Sequence, residues 1–507
     1  MQIPFIQDSE LLLPTVRIAS IQIENFKSIE YGEIDFPCAR KYIPYGTESD
    51  VTGIYGQNGS GKSALITAIG ILKCLVSGDS LRESICDCIR IGADYARLTF
   101  TFEYQYPNDD GFEEKYGFPL PEKGDVRKLV YSFKLGRAPK QGSDFDKAKF
   151  APMGDREDHS RDSRIKYDSI PYIFDEVFSA GGTFFQEQRR LKPFLDTSVD
   201  SLGPKSKVKD LLGTLDEKKR IEIEVQKKRS KEKATSFAFS PSMMQFYLES
   251  SKANSSLYAM MMVALWIYCS RYLMGGDSLA LIAGTSYSDG EVMIRFGDHG
   301  FLFLNICGFS NIPAADYEIA REGCNSLGKV IDKIVPGLSL DLRDCGKTMN
   351  EEGEEQCRVE LLAVRDGMVF PLRFESAGVI KLIMILEMLI CAFNDPSVTV
   401  VIDEFDTGVF EYLLGEIILT LKQSGKGQFI FTSHNLRPLE VLNKDCVWFT
   451  TTDPKNRFAK ISYVGETNNL RRVYFREIAL HEHYNNLYQE TKRNRIISAM
   501  RKAGGNL

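Results

Sequence analysis

Apolar and polar residues alternate along several early segments of the chain, and this pattern predicts β-strands. Residues 16–36, VRIASIQIENFKSIEYGEIDF, alternate in two runs, as expected for the two strands of a hairpin. Residues 96–104 and 128–135 show the same alternation on either side of a connection rich in glycine, proline and aspartate. A short apolar run at 51–55 precedes a glycine-rich stretch. These segments predict one α/β lobe that carries an antiparallel β flap.

The pattern becomes helical in the middle of the chain. Residues 205–234 contain eleven basic and six acidic side chains at helical spacings. The apolar segment LYAMMMVALWIYC follows at 257–269, and it is shorter than the ~20 residues that a membrane span needs. We therefore expect a short inserted helical arm, a buried helix and no contact with a membrane. The charges of the arm are typical of a solvated helix face, and they also fit a surface that contacts a partner protein or DNA.

Strand patterns return from about residue 278, in SLALIAGT, EVMIRFG and FLFLNICG. A helix is predicted near 315–334, and the run CRVELLAVRDGMVFPLRF predicts a pair of strands. The polar residues 136–170 predict a surface insertion. These patterns divide the chain into an N-terminal lobe with the flap (1–200), the helical arm (201–276), a C-terminal lobe (277–465) and a basic helical extension (466–507).

Composition narrows the class of protein. The 507 residues have a formal net charge of −6, which argues against a surface that is basic throughout, as in non-specific nucleic-acid binders. The eleven cysteines are scattered, without the paired spacing of a zinc site or the density of a secreted disulfide scaffold. The opening MQIPFIQDSELLLP has no basic region before its apolar residues, so no secretory signal is expected. We expect a cytoplasmic protein with reduced cysteines.

The stretch GQNGSGKS fits the phosphate-binding pattern G-x-x-x-x-G-K-S in full. It follows a predicted strand and opens a predicted helix, which is the context that this motif requires. Its backbone N–H groups and the helix N-terminus can hold the phosphates of ATP, the lysine neutralises them, and the serine hydroxyl binds Mg²⁺. The expected nucleotide-binding residues are Gly56, Gln57, Asn58, Gly59, Ser60, Gly61, Lys62 and Ser63.

The second half of such a site is predicted far downstream. The apolar run SVTVVIDEFD places Asp403 and Glu404 at the end of a strand, where Asp403 can bind Mg²⁺ and Glu404 can act as general base on the attacking water. The run GQFIFTSHN predicts another buried strand, and it ends at His434. Because the carboxyl ends of parallel strands meet at one crevice, we expect His434 to reach the γ-phosphate.

A further small-residue turn, Ser376-Ala377-Gly378, opens an amphipathic helix in FESAGVIKLIMILEMLI. Small residues at a helix N-terminus provide another phosphate-binding surface through their N–H groups and the helix dipole. One ATP molecule needs a single P-loop in its own protomer. We therefore expect Ser376 and Gly378 to contact the nucleotide of a second protomer, in a homo-oligomer with composite ATP sites.

This order of motifs resembles the ABC-type ATPases of the clan that contains the SMC, RecF and double-strand-break-repair proteins. The resemblance implies an α/β ABC-type P-loop ATPase head with an antiparallel β flap and an inserted short helical arm. The opening IQIENFKSIEYGEIDF resembles the N-terminal strand pair of the clan, which implies a phosphate contact for Lys27. The clan also has a water-sensing glutamine, for which the segment GGTFFQEQRRL offers Gln186, with Gln188 as the alternative.

Within the clan, the short arm and the run PLRFESAGVIKL … VVIDEFD … FIFTSHN look most like the OLD-like ATPases of bacterial defence. These include the ATPase subunits of abortive-infection systems, of Septu and of the phage anti-restriction-induced system. The similarity covers roughly residues 15–75 and 365–450. Only about 70 residues follow His434, fewer than the ~100 of a Toprim nuclease domain. The resemblance thus implies a sensor or scaffold that controls a separate effector protein, a nuclease or toxin.

Two departures from the pattern of the clan affect this interpretation. The signature is Glu-Ser-Ala-Gly in place of Leu-Ser-Gly-Gly, and Phe410 replaces the usual aspartate after the acidic pair. An ATPase that hydrolyses slowly and acts as a nucleotide-dependent scaffold fits these departures. The alternative function is an SMC/RecF-like DNA repair ATPase that binds duplex DNA directly, which the basic arm and the stretch TKRNRIISAMRK favour.

Overall fold

The computed structural model describes most of the chain. Of the predicted features, the strand SLALIAGT, Gln186 and most of the 136–170 insertion lie outside the described residues. The described ranges are 14–37, 49–105, 127–139, 169–184, 187–253, 256–275, 290–295, 300–350, 352–461, 469–480, 487–488 and 492–504.

Strands and helices are both distributed along the described chain. The strands are β1 (Thr15–Phe26), β2 (Ile29–Asp35), β3 (Asp50–Tyr55), β4 (Tyr95–Gln105), β5 (Arg127–Pro139), β6 (Ser169–Phe184), β7 (Glu187–Asp196), β8 (Leu273–Gly275), β9 (Glu291–Arg295), β10 (Phe301–Asn305), β11 (Ser310–Pro313), β12 (Leu338–Met349), β13 (Glu355–Arg365), β14 (Met368–Pro371), β15 (Thr399–Ile402), β16 (Gln428–Ser433), β17 (Val447–Thr450) and β18 (Phe458–Ala459). The helices are α1 (Lys62–Val76), α2 (Lys205–Leu212), α3 (Glu217–Glu232), α4 (Pro241–Ala253), α5 (Leu257–Ile267), α6 (Tyr317–Ile334), α7 (Ala377–Asn394), α8 (Glu411–Ser424), α9 (Pro438–Val441), α10 (Leu470–Leu480) and α11 (Arg493–Ala503).

A six-stranded sheet in the order β18-β17-β3-β16-β15-β8 carries the glycine-rich loop. All its pairs are parallel except β17 with β18. Alternate residues of its central strands enter two different apolar cores, with Ile54 and Ile430 on one face and Tyr55 and Phe431 on the other. Because both faces are covered, β3, β15 and β16 are nearly continuous apolar runs, as is usual for buried parallel strands.

A second six-stranded sheet, in the order β2-β1-β4-β5-β6-β7, is antiparallel throughout. It forms the predicted flap, and the hairpin of residues 16–36 is its β1–β2 pair. The flap also includes β6 and β7, two long strands that the alternation of residues had not revealed. The predicted fold, an α/β P-loop head with an antiparallel flap and a helical arm, is confirmed.

Gln428 joins the two large sheets at the amino ends of the parallel strands. Its buried amide donates to the Ile18 carbonyl oxygen of the flap at 2.8 Å and to the Asp50 carboxylate at 2.8 Å. The amide oxygen accepts from the Ile18 N–H at 3.2 Å and from the Thr399 hydroxyl at 3.2 Å. A buried amide with all these partners satisfied holds the sheets in one orientation, since any rotation would leave polar groups unpaired.

The C-terminal lobe packs on the other face of the parallel sheet. It contains the four-stranded sheet of β11, β12, β13 and β14, the β9–β10 pair, and helices α6 and α7. Among the described residues, α7 is the one helix long and apolar enough to cross a membrane, and half of it is buried. Near its middle the buried Glu387 faces Arg295 of β9 at 3.6 Å, as in a core helix with a paired charge.

The base of the helical arm is tied to the flap by one buried carboxylate. Glu176 of β6 accepts from the Tyr131 hydroxyl at 2.8 Å, from the Ser236 hydroxyl at 2.5 Å and from the Phe237 N–H at 2.7 Å. Residues 236 and 237 follow α3, where the arm returns to the flap. Burial raises the pKa of Glu176, and these hydrogen bonds oppose that rise by stabilising the carboxylate.

We expect Glu176→Ala to lower the free energy of unfolding by about 3 kcal/mol or more, since it leaves three buried donors without an acceptor. Denaturant unfolding followed by circular dichroism measures the change. Glu103→Ala is the matched control, because Glu103 is equally buried in the flap but pairs with the partly exposed Lys128 at 3.1 Å. An equal loss in both variants would contradict a special role of Glu176.

Candidate active site

The glycine-rich loop connects β3 to α1 and needs glycine for its backbone path. Gly59 and Gly61 have φ angles of 77° and 99°, in the left-handed region that favours glycine. No side-chain hydrogen bond caps the N-terminus of α1 at Gly61, so no capping side chain competes with a phosphate for the first N–H groups of the helix. The Lys62 ammonium lies back over the loop and donates to the carbonyl oxygens of Gly56 at 2.8 Å and of Gln57 at 3.1 Å.

Thr450, at the end of β17, supports this loop from below. Its hydroxyl bonds to the Ser60 hydroxyl and lies 3.2 Å from the Tyr55 carbonyl oxygen. Ser60 is buried and also donates to the Gln57 carbonyl oxygen. A Cβ at Gly56 would lie 1.9 Å from the Thr450 hydroxyl oxygen, so Gly56 allows this contact and no larger residue fits.

The strand register brings the acidic pair next to the loop. Ile402 of β15 lies opposite Phe431 of β16, and Ser433 of β16 lies opposite Tyr55 of β3. The residues that follow these strands are therefore Asp403, His434 and the first glycine of the loop, all at the same sheet edge. Open parallel sheets bind ligands at this carboxyl edge.

One hydroxyl links the two strand ends. Thr432 Oγ1 donates to the Asp403 carboxylate and accepts from the Glu404 N–H at 2.8 Å. The Phe405 N–H in turn donates to the Thr432 carbonyl oxygen at 2.9 Å. The orientation of both Asp403 and Glu404 thus depends on a residue of the neighbouring strand.

Glu404 has a strained backbone that its surroundings hold in place. Its φ angle is 48°, a region that L side chains rarely adopt and that is common at functional sites. Thr432 holds its N–H, and the Lys381 ammonium of α7 donates to its carbonyl oxygen. The exposed carboxylate accepts from the Thr407 hydroxyl at 3.3 Å. This conformation presents the carboxylate to solvent at the edge where a nucleotide would lie.

Lys62 lies in the field of three carboxylates. Burial lowers its pKa, and the charges of Asp403, Glu404 and Asp406 oppose the change by favouring the ammonium form. The loop lysine and the acidic strand end therefore face one another across the site. A bound triphosphate would place negative charge beside Lys62, and Mg²⁺ would place positive charge beside the carboxylates.

Asp406 orders the segment that follows β16. Its carboxylate accepts from the N–H of His434 at 3.1 Å and from the N–H of Asn435 at 2.8 Å. The His434 side chain is exposed. Asp406 thereby connects the segment after β15 that carries Asp403 and Glu404, the acidic loop, to the segment after β16 that carries His434, the histidine loop.

The proposed signature lies at the N-terminus of α7. The Ser376 hydroxyl accepts from the Val379 N–H at 3.3 Å, as an N-cap. A Cβ at Gly378 would lie 1.9 Å from the Gly408 carbonyl oxygen, so Gly378 allows α7 to touch the acidic loop of its own chain. The unusual signature residue Glu375 pairs with Arg365 at 3.1 Å, which offsets its negative charge beside the helix N-terminus.

Two predicted residues remain, Lys27 and the glutamine at position 186 or 188. Lys27 donates to the Thr67 hydroxyl at 2.6 Å, on the second turn of α1, one turn beyond Ser63. Lys27 therefore lies beside α1, and the hydrogen bond of its ammonium is to this helix and not to the glycine-rich loop. Gln186 lies outside the described residues, and of Gln188 only the backbone is described, opposite Thr183 in the β6–β7 pair.

The residues present fit ATP with Mg²⁺. An uncapped helix N-terminus, glycines without Cβ atoms and a lysine provide the donors that a triphosphate needs. A Cβ at Gly59 would meet no atom within 4 Å, so the loop has open space beside it. The exposed Ser63 and the Asp403 carboxylate offer the oxygen ligands that Mg²⁺ prefers.

Four residues of this site, Thr432, Asp406, Thr450 and Lys381, were not identified from the sequence. Thr432 and Asp406 lie within three residues of the predicted His434 and Asp403, and that proximity was the available signal. Thr450 and Lys381 belong to no recognisable motif. Their roles depend on contacts between segments that are far apart in the chain.

Comparison with known families matches residues 20–254 to the AAA domain family. This segment includes the glycine-rich loop, most of the flap, and helices α1, α2, α3 and α4. No curated protein matches the chain.

Solved structures of SMC heads are similar to the chain at low sequence identity. The SMC head domain from Thermotoga maritima is 14% identical, with a TM-score of 0.30, over 88% of this chain and 99% of that one. The Smc head domain with an extended coiled coil bound to the C-terminal domain of ScpA, from Pyrococcus furiosus, is 13% identical, with a TM-score of 0.37, over 88% and 96%. The Smc head domain with a coiled coil and joint from Pyrococcus yayanosii is 11% identical, with a TM-score of 0.37, over 92% and 100%.

We expect Thr432→Val to weaken the site because it removes the hydroxyl shared by Asp403 and the Glu404 N–H. The Mg²⁺ concentration needed for half-maximal ATP hydrolysis should rise several-fold, as expected for a loss of about 1 kcal/mol or more. The measurement is single-turnover hydrolysis over a Mg²⁺ titration.

Thr399→Val is the matched control for this variant. Thr399 lies at the opposite end of β15, and its hydroxyl contacts Gln428 and Tyr268. It should lower stability by a similar amount and leave the Mg²⁺ dependence unchanged. The same Mg²⁺ shift in both variants would show that Thr432 has only a general structural role.

Proposed function

We propose that the protein is an ATP-binding and ATP-hydrolysing, dimerising ABC-type ATPase. The observation that carries this proposal is the meeting of the glycine-rich loop, which carries Lys62, and the acidic strand end at one sheet edge. A lysine on a phosphate-binding loop opposite a metal-binding carboxylate and a second carboxylate is the arrangement that phosphoryl transfer to water requires. The AAA domain match over residues 20–254 agrees with this class.

In this proposal the loop and the acidic residues have separate tasks. The N–H groups of residues 56–63 and the Lys62 ammonium bind the phosphates, which requires Lys62 to leave the carbonyl oxygens that it contacts in the structure. Ser63 and Asp403 hold Mg²⁺, which neutralises charge on the phosphates. Glu404 accepts the proton of the attacking water, and His434 contacts the γ-phosphate.

Ser376 and Gly378 are proposed to close on the nucleotide of a second protomer. Two exposed aromatic side chains flank this surface: Phe374, two residues before the serine, is 69% exposed, and Phe410, beyond the Gly408 that touches Gly378, is 74% exposed. Exposed aromatic residues are enriched where proteins bind one another. Phe410, which stands where the clan has an aspartate, thus adds apolar area to the surface that would meet the partner.

We further propose that this ATPase is a cytoplasmic sensor or scaffold of a bacterial anti-phage system and controls a separate effector. The support is the resemblance of the run from the signature to the histidine strand to OLD-like defence ATPases. The helical arm, with its mixed charges, and α11 are available for partner contacts. Every residue of α11 is exposed, including the large apolar side chains of Ile496, Ile497 and Met500.

A DNA repair ATPase is the second candidate, and the charge of α11 is the observation that favours it. Residues 492–504 contain five basic and no acidic side chains. Duplex DNA binding with a steep salt dependence, lost when these five residues are neutralised, would favour direct DNA binding over a protein effector. The apolar side chains of α11 favour a protein partner, because contact with phosphates would leave them in water.

We expect Glu404→Gln to bind ATP normally while hydrolysis falls by ~10²-fold or more, because the amide keeps the shape but cannot accept the proton. Lys62→Ala should instead lose ATP binding, since the ammonium contacts the ground-state phosphates. Single-turnover hydrolysis, with bound ATP measured separately, distinguishes the two effects. An unchanged rate in Glu404→Gln would mean that another residue positions the water.

We expect Ser376→Arg to block ATP-dependent association, because a large cation would fill the space that the phosphate of the second protomer needs. Light scattering with ATP in the Glu404→Gln background measures the change in mass. Ser80→Arg is the matched control, since Ser80 is exposed beyond the opposite end of α1. Equal ATP-dependent association in both variants would exclude the composite site.

A further inference from the structure

The carboxylate of Asp406 has an unusual set of partners for a residue in a nucleotide site. It accepts two consecutive backbone N–H groups, from His434 at 3.1 Å and from Asn435 at 2.8 Å. Both donors belong to the segment after β16, 28 and 29 residues further along the chain. An ionised carboxylate that accepts backbone N–H groups forms stronger hydrogen bonds than a neutral acceptor.

The Asn435 end of the same segment has additional support. The Ser433 hydroxyl accepts from the Asn435 N–H at 3.0 Å and lies 3.1 Å from the Asn435 carbonyl oxygen. The Asn435 side chain accepts from the Arg437 N–H at 2.8 Å. For the His434 N–H, the hydrogen bonds of the described structure are both to Asp406. The orientation of His434 is therefore the feature most dependent on this carboxylate.

Asp406 is itself held within the acidic loop. It lies three residues after Asp403, and its charge acts on the Lys62 ammonium together with those of Asp403 and Glu404. The Val409 N–H donates to the Asp406 carbonyl oxygen at 3.1 Å, which closes a turn. The loop that carries Glu404 and the loop that carries His434 are thus joined through one side chain.

We propose that Asp406 is a positioning residue that places the His434 imidazole for ATP hydrolysis. This inference rests on the proposed ATPase function. Asp406 accepts the N–H groups of His434 and Asn435 and so fixes the direction of the backbone from which the imidazole projects. Since the same turn follows Glu404, the general base and the histidine are placed by one rigid unit. A displacement of about 1 Å at a catalytic group can cost ~10²-fold in rate.

The test is a double-mutant cycle of Asp406→Ala and His434→Ala, with Asp406→Asn as a third single variant. Because Asp406 acts through His434, each single alanine variant should lower the single-turnover rate by ~10-fold or more. In the His434→Ala background, Asp406→Ala should add less than ~3-fold. ATP affinity, measured by displacement of a fluorescent ATP analogue, should stay within ~2-fold in all variants.

Asp406→Asn separates the effect of the hydrogen bonds to the histidine loop from the effect of the negative charge. One Asp406 oxygen, Oδ2, accepts from the N–H groups of both His434 and Asn435, so an asparagine amide oxygen in the same place can still accept both, without the negative charge. An intermediate rate is expected from Asp406→Asn, because hydrogen bonds to a neutral amide oxygen are weaker than hydrogen bonds to a carboxylate. If Asp406 acted instead through the effect of its charge on Lys62, Asp406→Asn and Asp406→Ala would be equally slow. Each would then also lower the rate of His434→Ala by its full amount.

Asp395→Ala is the matched control. Asp395 is also half-buried and also accepts a backbone N–H, from Ser397 at 2.8 Å, but it lies before the amino end of β15. It should leave the hydrolysis rate within ~2-fold of the unmodified protein. A comparable rate loss in Asp395→Ala would show that Asp406→Ala acts by general destabilisation, and this would overturn the inference.

The inference and the proposed function fail in different ways. A full additional loss from Asp406→Ala in the His434→Ala background, or an unchanged rate in His434→Ala alone, would overturn the role of Asp406 and leave the ATPase proposal intact. An unmodified protein that binds ATP without hydrolysing it would overturn the hydrolysis proposal. In that case amide hydrogen exchange at His434 still tests the contact, because faster exchange is expected in Asp406→Ala and not in Asp395→Ala.

Discussion

The register of three parallel strands is the constraint on which the rest of the site depends. Because β3, β15 and β16 are hydrogen-bonded with Ile402 opposite Phe431 and Ser433 opposite Tyr55, the segments after these strands begin at the same level. A shift of one residue would turn every side chain of the moved strand to the other face, and the two apolar cores prevent it. The glycine-rich loop, the acidic pair and the histidine loop meet at one edge because the cores allow a single register.

At this edge, hydrogen bonds between the loops replace regular secondary structure. The Thr432 hydroxyl joins Asp403 to Glu404, Asp406 holds the amides after β16, and Thr450 supports Ser60 beneath the glycine-rich loop. These bonds hold Glu404 at a φ of 48°, a cost that an unsupported loop would relieve. The Lys381 ammonium and the close approach of Gly378 to Gly408 attach the N-terminal part of α7 to the same loop, so this helix and Glu404 are held together within one chain.

The flap and the arm are connected to this sheet by buried polar groups at a distance from the site. Gln428 pairs the flap strand β1 with the amino ends of the parallel strands, and Glu176 ties the return of the arm to β6. The polar atoms of the Gln428 and Glu176 side chains are hydrogen-bonded, so each residue specifies one arrangement of the segments that it joins.

The sequence by itself determined the features whose chemistry lies in contiguous residues. The loop of residues 56–63 and the strand that precedes Asp403 and Glu404 were evident from contiguous residues, and the alternation of 16–36 predicted the hairpin of the flap. The long strands β6 and β7 were missed, because glycine, proline and charged residues interrupt their alternation. Only the tertiary structure revealed Thr432, Asp406, Thr450 and the contact of Gly378 with Gly408. The physical reason is that each of these acts through a hydrogen bond or close approach to another element, and strand register and packing, rather than local sequence, decide which distant residues meet.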